Sequence, residues 1–259
     1  MIVIAGDRDV ESIKELWKLC FTTEEEYLDN FFNNCFPYSI TLVSKLGDIC
    51  ISSATLIPSE IFIEAGNCNS IITGFYLYGV CTHPDQRGKG ISTSIIKECL
   101  DYSRSTGKEY IAVFPASENL YDYYSSFGFI NLYCSVHKKR VIRDLEYSNE
   151  SNSAIFLSKE LSPFIERDIL LKGGTYNSKE GVIVEYALPS LENSDTIEIY
   201  TLLKDSSILI DQIQAPKKVY ISHLNKSDRG SKQKRGMLLP LSNKDLSPLL
   251  NSFMFFIAE

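Results

Sequence analysis

No two cysteines of this chain stand in a C-x-x-C arrangement, histidine occurs only three times and tryptophan once. The spacing that holds a structural or catalytic zinc ion is therefore missing, and no metal site is expected. The seven cysteines, Cys20, Cys35, Cys50, Cys68, Cys81, Cys99 and Cys134, are an odd number for a disulfide framework. Most fall in apolar patterns, where a thiol serves as a small hydrophobe. That usage suits a reducing compartment, and a cytoplasmic protein is expected. The N-terminus has no basic segment leading into a long apolar stretch, so no signal peptide is expected. No run approaches the roughly 18 apolar residues of a membrane span, which removes the membrane as a partner. A basic excess is absent too: 26 lysines and arginines stand against 33 acidic residues, a net charge of −7. Binding nucleic acid through its phosphates needs a basic face, so nucleic acid is excluded as a general partner. An acidic balance of this size serves solubility first and favours a cationic or amine-bearing partner second.

What is present is enough chain, 259 residues, for one or two domains with a substantial core. Ile2 to Ile4 reads as a short strand. Asp9 is placed to cap a helix whose apolar residues, Val10, Ile13, Leu16, Trp17 and Cys20, recur at helical spacing. Thr23 and Glu26 have the spacing of a capping box before a second helix, with Tyr27, Leu28, Phe31 and Phe32 on its apolar face. The period then changes. Ile40 to Ser44 and Ile49 to Ile57 are β-rich runs joined by a hairpin signal, Lys45-Leu46-Gly47-Asp48. Ile61 to Glu64 and Ser70 to Thr82 follow, broken at Gly66-Asn67.

Residues 76 to 92, Tyr-Leu-Tyr-Gly-Val-Cys-Thr-His-Pro-Asp-Gln-Arg-Gly-Lys-Gly-Ile-Ser, carry the most information. A β-rich segment runs into a Pro-marked loop, then a Gly-rich basic turn, then a helical stripe of Ile91, Ile95, Ile96, Cys99 and Leu100. Gly88 and Gly90 let the backbone approach a ligand closely. The first amides of the following helix have no intrahelical partners and lie at the positive end of its dipole, which makes an anion site. Arg87 and Lys89 add charge at the rim. Several antiparallel strands precede this turn. That order argues against a dinucleotide-binding unit, where the glycine turn follows the first strand.

These residues resemble the coenzyme A signature of the GNAT (GCN5-related) N-acetyltransferase superfamily, Gln/Arg-x-x-Gly-x-Gly/Ala after a strand. Here it reads Arg87-Gly88-Lys89-Gly90-Ile91-Ser92, with Ser92 in place of the last Gly or Ala. A second segment, Asn119-Leu-Tyr-Asp-Tyr-Tyr124-Ser-Ser-Phe-Gly128-Phe129, resembles the family's Asn-x4-Tyr-x3-Gly-Phe. The resemblance covers roughly residues 1 to 145. It implies an α/β (α+β) fold, a mixed and mostly antiparallel central sheet flanked by helices. The expected boundaries are 1–146 for this domain and 147–259 for a smaller C-terminal α+β lobe, with a polar boundary at 147–153.

The resemblance also implies roles. The main chain of Gln86, Arg87, Gly88, Lys89, Gly90, Ile91 and Ser92 would hold the diphosphate of acetyl-CoA. The strand Val80, Cys81 and Thr82 would pair with the pantetheine arm, with an oxyanion donor near Val80 or Cys81. Asn119 would contact the coenzyme, and Tyr124 would act as the general acid towards the departing thiolate. Tyr121 and Tyr123 read as aromatic packing, the Cys81 side chain as strand packing, and His83 as a loop residue. No general base is legible. The expected activity is acetyl transfer from acetyl-CoA to a primary amine of a small molecule or peptide, by direct attack without a covalent acetyl-enzyme. A non-catalytic acyl-CoA-binding or sensing module is the alternative.

Beyond residue 153, Pro163 to Lys172 reads as a helix, followed by a Gly173-Gly174 turn and strands at Val182 to Leu188, Thr196 to Leu203 and Val219 to His223. Residues 225 to 236 read as a polar, cationic surface loop, and the apolar end Phe253 to Ile257 as a segment that docks into a core. This half resembles a degenerate copy of the same fold, as in two-lobed members of the superfamily. It is expected to shape the substrate site or to form a homodimer.

Overall fold

The computed structural model describes residues 1–21, 23–65, 68–135, 139–140, 153–179, 182–189, 196–201, 218–222, 232–242 and 253–254. The expected break at Gly66-Asn67, most of the boundary at 147–153, the start of the loop at 225–236 and the last apolar residues of the chain lie outside them. Packing divides the chain into two units that interleave along the sequence instead of meeting at one point. The first takes in Met1–Ile61, Ile71–Asn131 and Gly236–Leu246, and the second Phe62–Ser70, Leu132–Arg235 and Ser247–Glu259.

The first unit begins with β1 (Ile2–Ile4), α1 (Val10–Phe21) and α2 (Glu25–Asn34). Strands β2 (Ile40–Leu46), β3 (Ile49–Ala65) and β4 (Cys68–Thr82) come next, then α3 (Ile91–Ser105), β5 (Tyr110–Val113), α4 (Glu118–Ser125) and β6 (Ile130–Ser135); the end of β3, the start of β4 and β6 from Leu132 onward count with the second unit. The apolar periods account for the packing. Ile13, Leu16 and Trp17 of α1 are buried, as are Ile95, Ile96, Cys99 and Leu100 of α3. Two helix starts differ from expectation. Asp9 does not cap α1; it ends a short 3-10 turn, accepts the Gly6 amide at 3.0 Å and pairs with Lys45 Nζ at 2.5 Å. The Thr23/Glu26 capping box does not form either. Glu24 takes the N-cap position of α2 without a side-chain bond, and Glu25 and Glu26 meet the helix dipole with their charge instead.

The β1–β2 and β2–β3 pairs are antiparallel, and β4 and β5 are parallel. The second unit contains β7 (Lys139–Arg140), β8 (Ser153–Leu157), α5 (Ser162–Leu171), β9 (Thr175–Lys179), β10 (Val182–Pro189), β11 (Thr196–Thr201) and β12 (Lys218–Ser222). Five of its strands form a sheet in the order β7-β12-β11-β10-β9, and α5 buries Phe164, Asp168 and Ile169.

A further strand, β13 (Lys232–Pro240), corrects the reading of residues 225 to 236 as a loop: from Lys232 onward the chain is extended. Met237, Leu238 and Leu239 pair antiparallel with Val113, Ala112 and Ile111 of β5. The main sheet therefore runs β1-β2-β3-β4-β5-β13-β6. Met237 and Leu239 join Leu77, Ile95, Ile96, Cys99, Ile111, Tyr124 and Phe129 in one buried cluster. The polar start of β13 hid a short apolar run, Met237-Leu-Leu, that only a slot between two strands makes sense of. A last short strand, β14 (Phe253–Met254), lies parallel to β8.

Candidate active site

The site begins where two parallel strands part. Pairing of β4 with β5 runs from Gly74↔Tyr110 to Leu77↔Val113. There β5 ends, while β4 continues through Gly79 to Thr82. Gly79 takes φ +59°, and a Cβ at this position would lie 2.4 Å from Cζ2 of the buried Trp17. Only glycine combines that backbone with so close a ring. Trp17 is held in turn: its Nε1 donates to Ser53 Oγ at 3.0 Å, and its ring packs on Phe31 and Phe32.

A cleft of about 450 Å³ opens beside this end of β4. It is lined by Val80, Cys81 and Thr82, by Gln86, Arg87, Gly88 and Gly90 of the turn, and by Ile91, Ser92 and Thr93 of α3. Leu120 and Tyr123 of α4 and Cys20 and Phe21 of α1 complete the lining. Its size falls in the range of about 300–1,000 Å³ common for small-molecule sites.

Gly90 caps α3 in the left-handed region, φ +74°, and offers no side-chain acceptor to the helix. The first main-chain bond of α3 runs from Ser94 N to Gly90 O. Among the described residues no main-chain acceptor serves the amides of Ile91, Ser92 and Thr93. Three donors at the positive end of a 15-residue helix thus face the cleft. A Cβ at Gly88 or Gly90 would meet nothing within 4 Å, so the approach to these amides is open. This donor set fits the diphosphate of a coenzyme A.

The flanking cations are tethered. Arg87 Nε donates to Thr82 O at 3.2 Å, and Lys89 Nζ donates to Asp85 O at 3.2 Å and Gln86 Oε1 at 2.9 Å. His83 Nδ1 accepts the Asp85 amide at 3.3 Å and so holds the turn. Ser52 Oγ donates to Cys81 O at 2.6 Å, fixing β4 from behind the cleft.

Of the residues singled out in sequence, Lys89, Asn119 and Tyr124 are not in the lining. Lys89 is bound back onto its own loop, and Asn119 is exposed near the start of α4. Tyr124 is 5% exposed and packs on Phe129 and on Tyr123, with ring centroids 5.7 and 5.4 Å apart. Burial pushes its phenol well above the ordinary tyrosine range, with Tyr123 and Cys99 adding to the shift. Tyr123, read from sequence as packing, instead reaches the head of α3: its hydroxyl lies 3.0 Å from Ser92 Oγ and 3.4 Å from Thr93 Oγ1. Cys20 and Phe21 were also missed, since nothing local links the end of α1 to a turn some 65 residues later.

Residues 2–130 match the family model for the acetyltransferase (GNAT) domain. No curated protein matches the chain in sequence. Among solved structures, Eis1 from Mycobacterium abscessus aligns with 93% of this chain and 74% of its own, at a TM-score of 0.62 and 10% identity. A conserved protein from Enterococcus faecalis V583, a "probable N-acyltransferase", aligns over 93% and 72% at 0.60 and 14%. A GNAT family acetyltransferase from Brucella melitensis, solved with acetyl-CoA, covers 50% of this chain and 82% of its own at 0.41 and 19%. At such identities the first two likenesses are of fold. Together with the family match, the parted strands and the glycine turn at the head of α3 lead to one conclusion: through residues 2–130 this chain belongs to the GNAT acetyltransferase family.

Proposed function

We propose that the protein transfers the acetyl group of acetyl-CoA to a primary amine of a small molecule or peptide. The observation that carries this reading is the set of amides of Ile91, Ser92 and Thr93, which no main-chain acceptor among the described residues serves, behind two left-handed glycines at the end of β4 beyond its pairing with β5. In this reading the amides take the diphosphate, and Val80 to Thr82 take the pantetheine arm along their main chain. The thioester then lies near the point where β5 leaves β4. There a neutral amine attacks the carbonyl carbon, a main-chain donor near Val80 or Cys81 meets the oxyanion, and the thiolate departs with a proton.

Tyr124, at the tyrosine position of the family motif, is the proposed proton donor. Burial raises its phenol above the ordinary range and makes it a weaker acid, so the transfer depends on a direct hydrogen bond to the departing thiolate. Tyr123 has a different part: it braces Ser92 at the head of α3. Lys89 and Asn119 act at the coenzyme rim. The proposed part of the C-terminal unit is to shape the acceptor site or to pair two copies. A cytoplasmic location goes with this reading, supported by Cys20, Cys35, Cys50, Cys81 and Cys99 all being free thiols.

The test is calorimetry with acetyl-CoA followed by thiol release across a panel of amines. The reading expects binding, and thiol release that depends on an amine. Binding without transfer to any amine would favour a coenzyme-sensing module, and no binding would remove the cradle.

A further inference from the structure

Two thiols meet in the cleft. Cys20 is the penultimate residue of α1, and Cys81 stands in the part of β4 that runs on beyond its pairing with β5. Both line the cleft, and Cys20 Sγ sits against the carbonyl of Thr82, the residue that follows Cys81. Cys81 is 7% exposed and has Ser53 Oγ 3.3 Å from its sulfur. Cys20 is only partly buried. As a thiol, its Sγ donates to Thr82 O at 3.6 Å, the same carbonyl that Arg87 Nε holds at 3.2 Å. A guanidinium therefore stands against the more accessible sulfur of the pair.

We infer that Cys20 and Cys81 are a dithiol pair that closes to a disulfide when a low-molecular-weight disulfide enters the cleft, with Cys20 as the attacking sulfur and Cys81 as the resolving one. The environment divides the labour. Cys20 is held below the ordinary thiol range, chiefly because its thiolate accepts a hydrogen bond from Cys81, then through Arg87 and the field of His83, with burial opposing. Cys81 is pushed up by that same contact with Cys20 and by burial. One thiolate beside one thiol is the arrangement that exchange requires. Cys35, Cys50 and Cys99 are buried, and burial raises each of them, so they are poor competitors.

The steps balance. The Cys20 thiolate attacks one sulfur of R–S–S–R; the new Cys20–S–S–R bond forms, and RS⁻ leaves and takes up a proton. Cys81 then loses its proton to solvent and attacks Cys20 Sγ, and the second RS⁻ leaves and is protonated. Two protein thiols are oxidised and one small disulfide is reduced to two thiols.

The test uses the full chain and bis(2-hydroxyethyl) disulfide, with free thiols alkylated at acid quench and peptides mapped by mass. The expected product joins the Cys20 and Cys81 peptides, is lighter by two hydrogens and reverts with dithiothreitol. Cys81→Ser should stop at a single hydroxyethylthio group on Cys20, and Cys20→Ser should form no bond. In unmodified protein, limiting N-ethylmaleimide should label Cys20 at least ~10-fold faster than Cys35 or Cys50. This last measurement needs no variant to fold. A wild-type map without the Cys20–Cys81 link, or equal labelling of the three cysteines, would overturn the inference. The readout is covalent and needs no coenzyme, so its failure and the failure of the acetyltransferase reading are separate results.

Discussion

The hydroxyl of Tyr123 lies 3.0 Å from Oγ of Ser92, which ties the inner face of α4 to the head of α3. Tyr124, the next residue, turns into the core against Phe129. Adjacent helix positions point about 100° apart, so neighbouring tyrosines serve two environments.

Their Phe variants should separate accordingly. Tyr123→Phe removes one hydrogen bond at the cradle, worth about 0.5–1.5 kcal/mol, and should raise the coenzyme Kd ~2–10-fold with a smaller effect on kcat. Tyr124→Phe should leave the Kd unchanged and lower kcat by ~10² or more if the phenol is the proton donor. Steady-state kinetics beside calorimetry checks both, and an unchanged kcat in Tyr124→Phe would remove that assignment.

At Gly90, φ +74° and the exposed amides beyond it act together. Gly90→Glu should cost about 1–2 kcal/mol of stability from the left-handed backbone. Its carboxylate would occupy the place of the diphosphate. Opposing an anion at a helix head by up to about 2 kcal/mol corresponds to a loss of up to ~30-fold in coenzyme affinity. Thermal unfolding and calorimetry on the same sample distinguish misfolding from a lost site.

Gly79→Ala tests whether the bend in β4 depends on Trp17. A Cβ 2.4 Å from the indole cannot be accommodated without moving the ring or the strand. Forcing side chains off their wells in a packed core typically costs about 1–3 kcal/mol. Tm should fall, and Gly79→Ala combined with Trp17→Phe should recover part of the loss because the smaller ring vacates that space. No recovery would mean that backbone strain alone sets the penalty.

Asp9 carries a pH dependence. The hydrogen bond from Lys45, then that from the Gly6 amide, hold its carboxyl below the ordinary value, with burial opposing. A depressed folded-state pKa contributes stability above the unfolded value, and that stability is lost as pH falls through the folded value. Asp9→Asn should therefore lower Tm most at neutral pH, and the gap to wild type should close below pH ~4. A gap that stayed constant from neutral to acid pH would contradict the linkage.

Closing the Cys20–Cys81 bond should also change the cleft that both residues line. Protein oxidised with bis(2-hydroxyethyl) disulfide is expected to lose coenzyme affinity and to regain it with dithiothreitol, while Cys20→Ser keeps its affinity through the same treatment. Calorimetry before and after reduction reads the effect, and equal affinity in both states would show that the bond leaves the cradle intact.

Local features of this chain were legible because their causes are local. The glycine spacing from Arg87 to Ser92, the apolar stripe of α3 and the alternation that makes β2 to β4 all depend on residues within a few positions of one another. So does the anion-binding head of α3, since a helix leaves its first amides unpaired wherever it starts. Tertiary structure alone decided the rest. It inserted Met237 to Leu239 between β5 and β6, drew Cys20 to Cys81 across 61 residues of sequence, and turned Tyr123 to the cleft and Tyr124 to the core. Each of these is a contact between segments distant in the chain, selected by which apolar surfaces and strand edges remain to be covered once the local elements have formed. No short-range period records that choice.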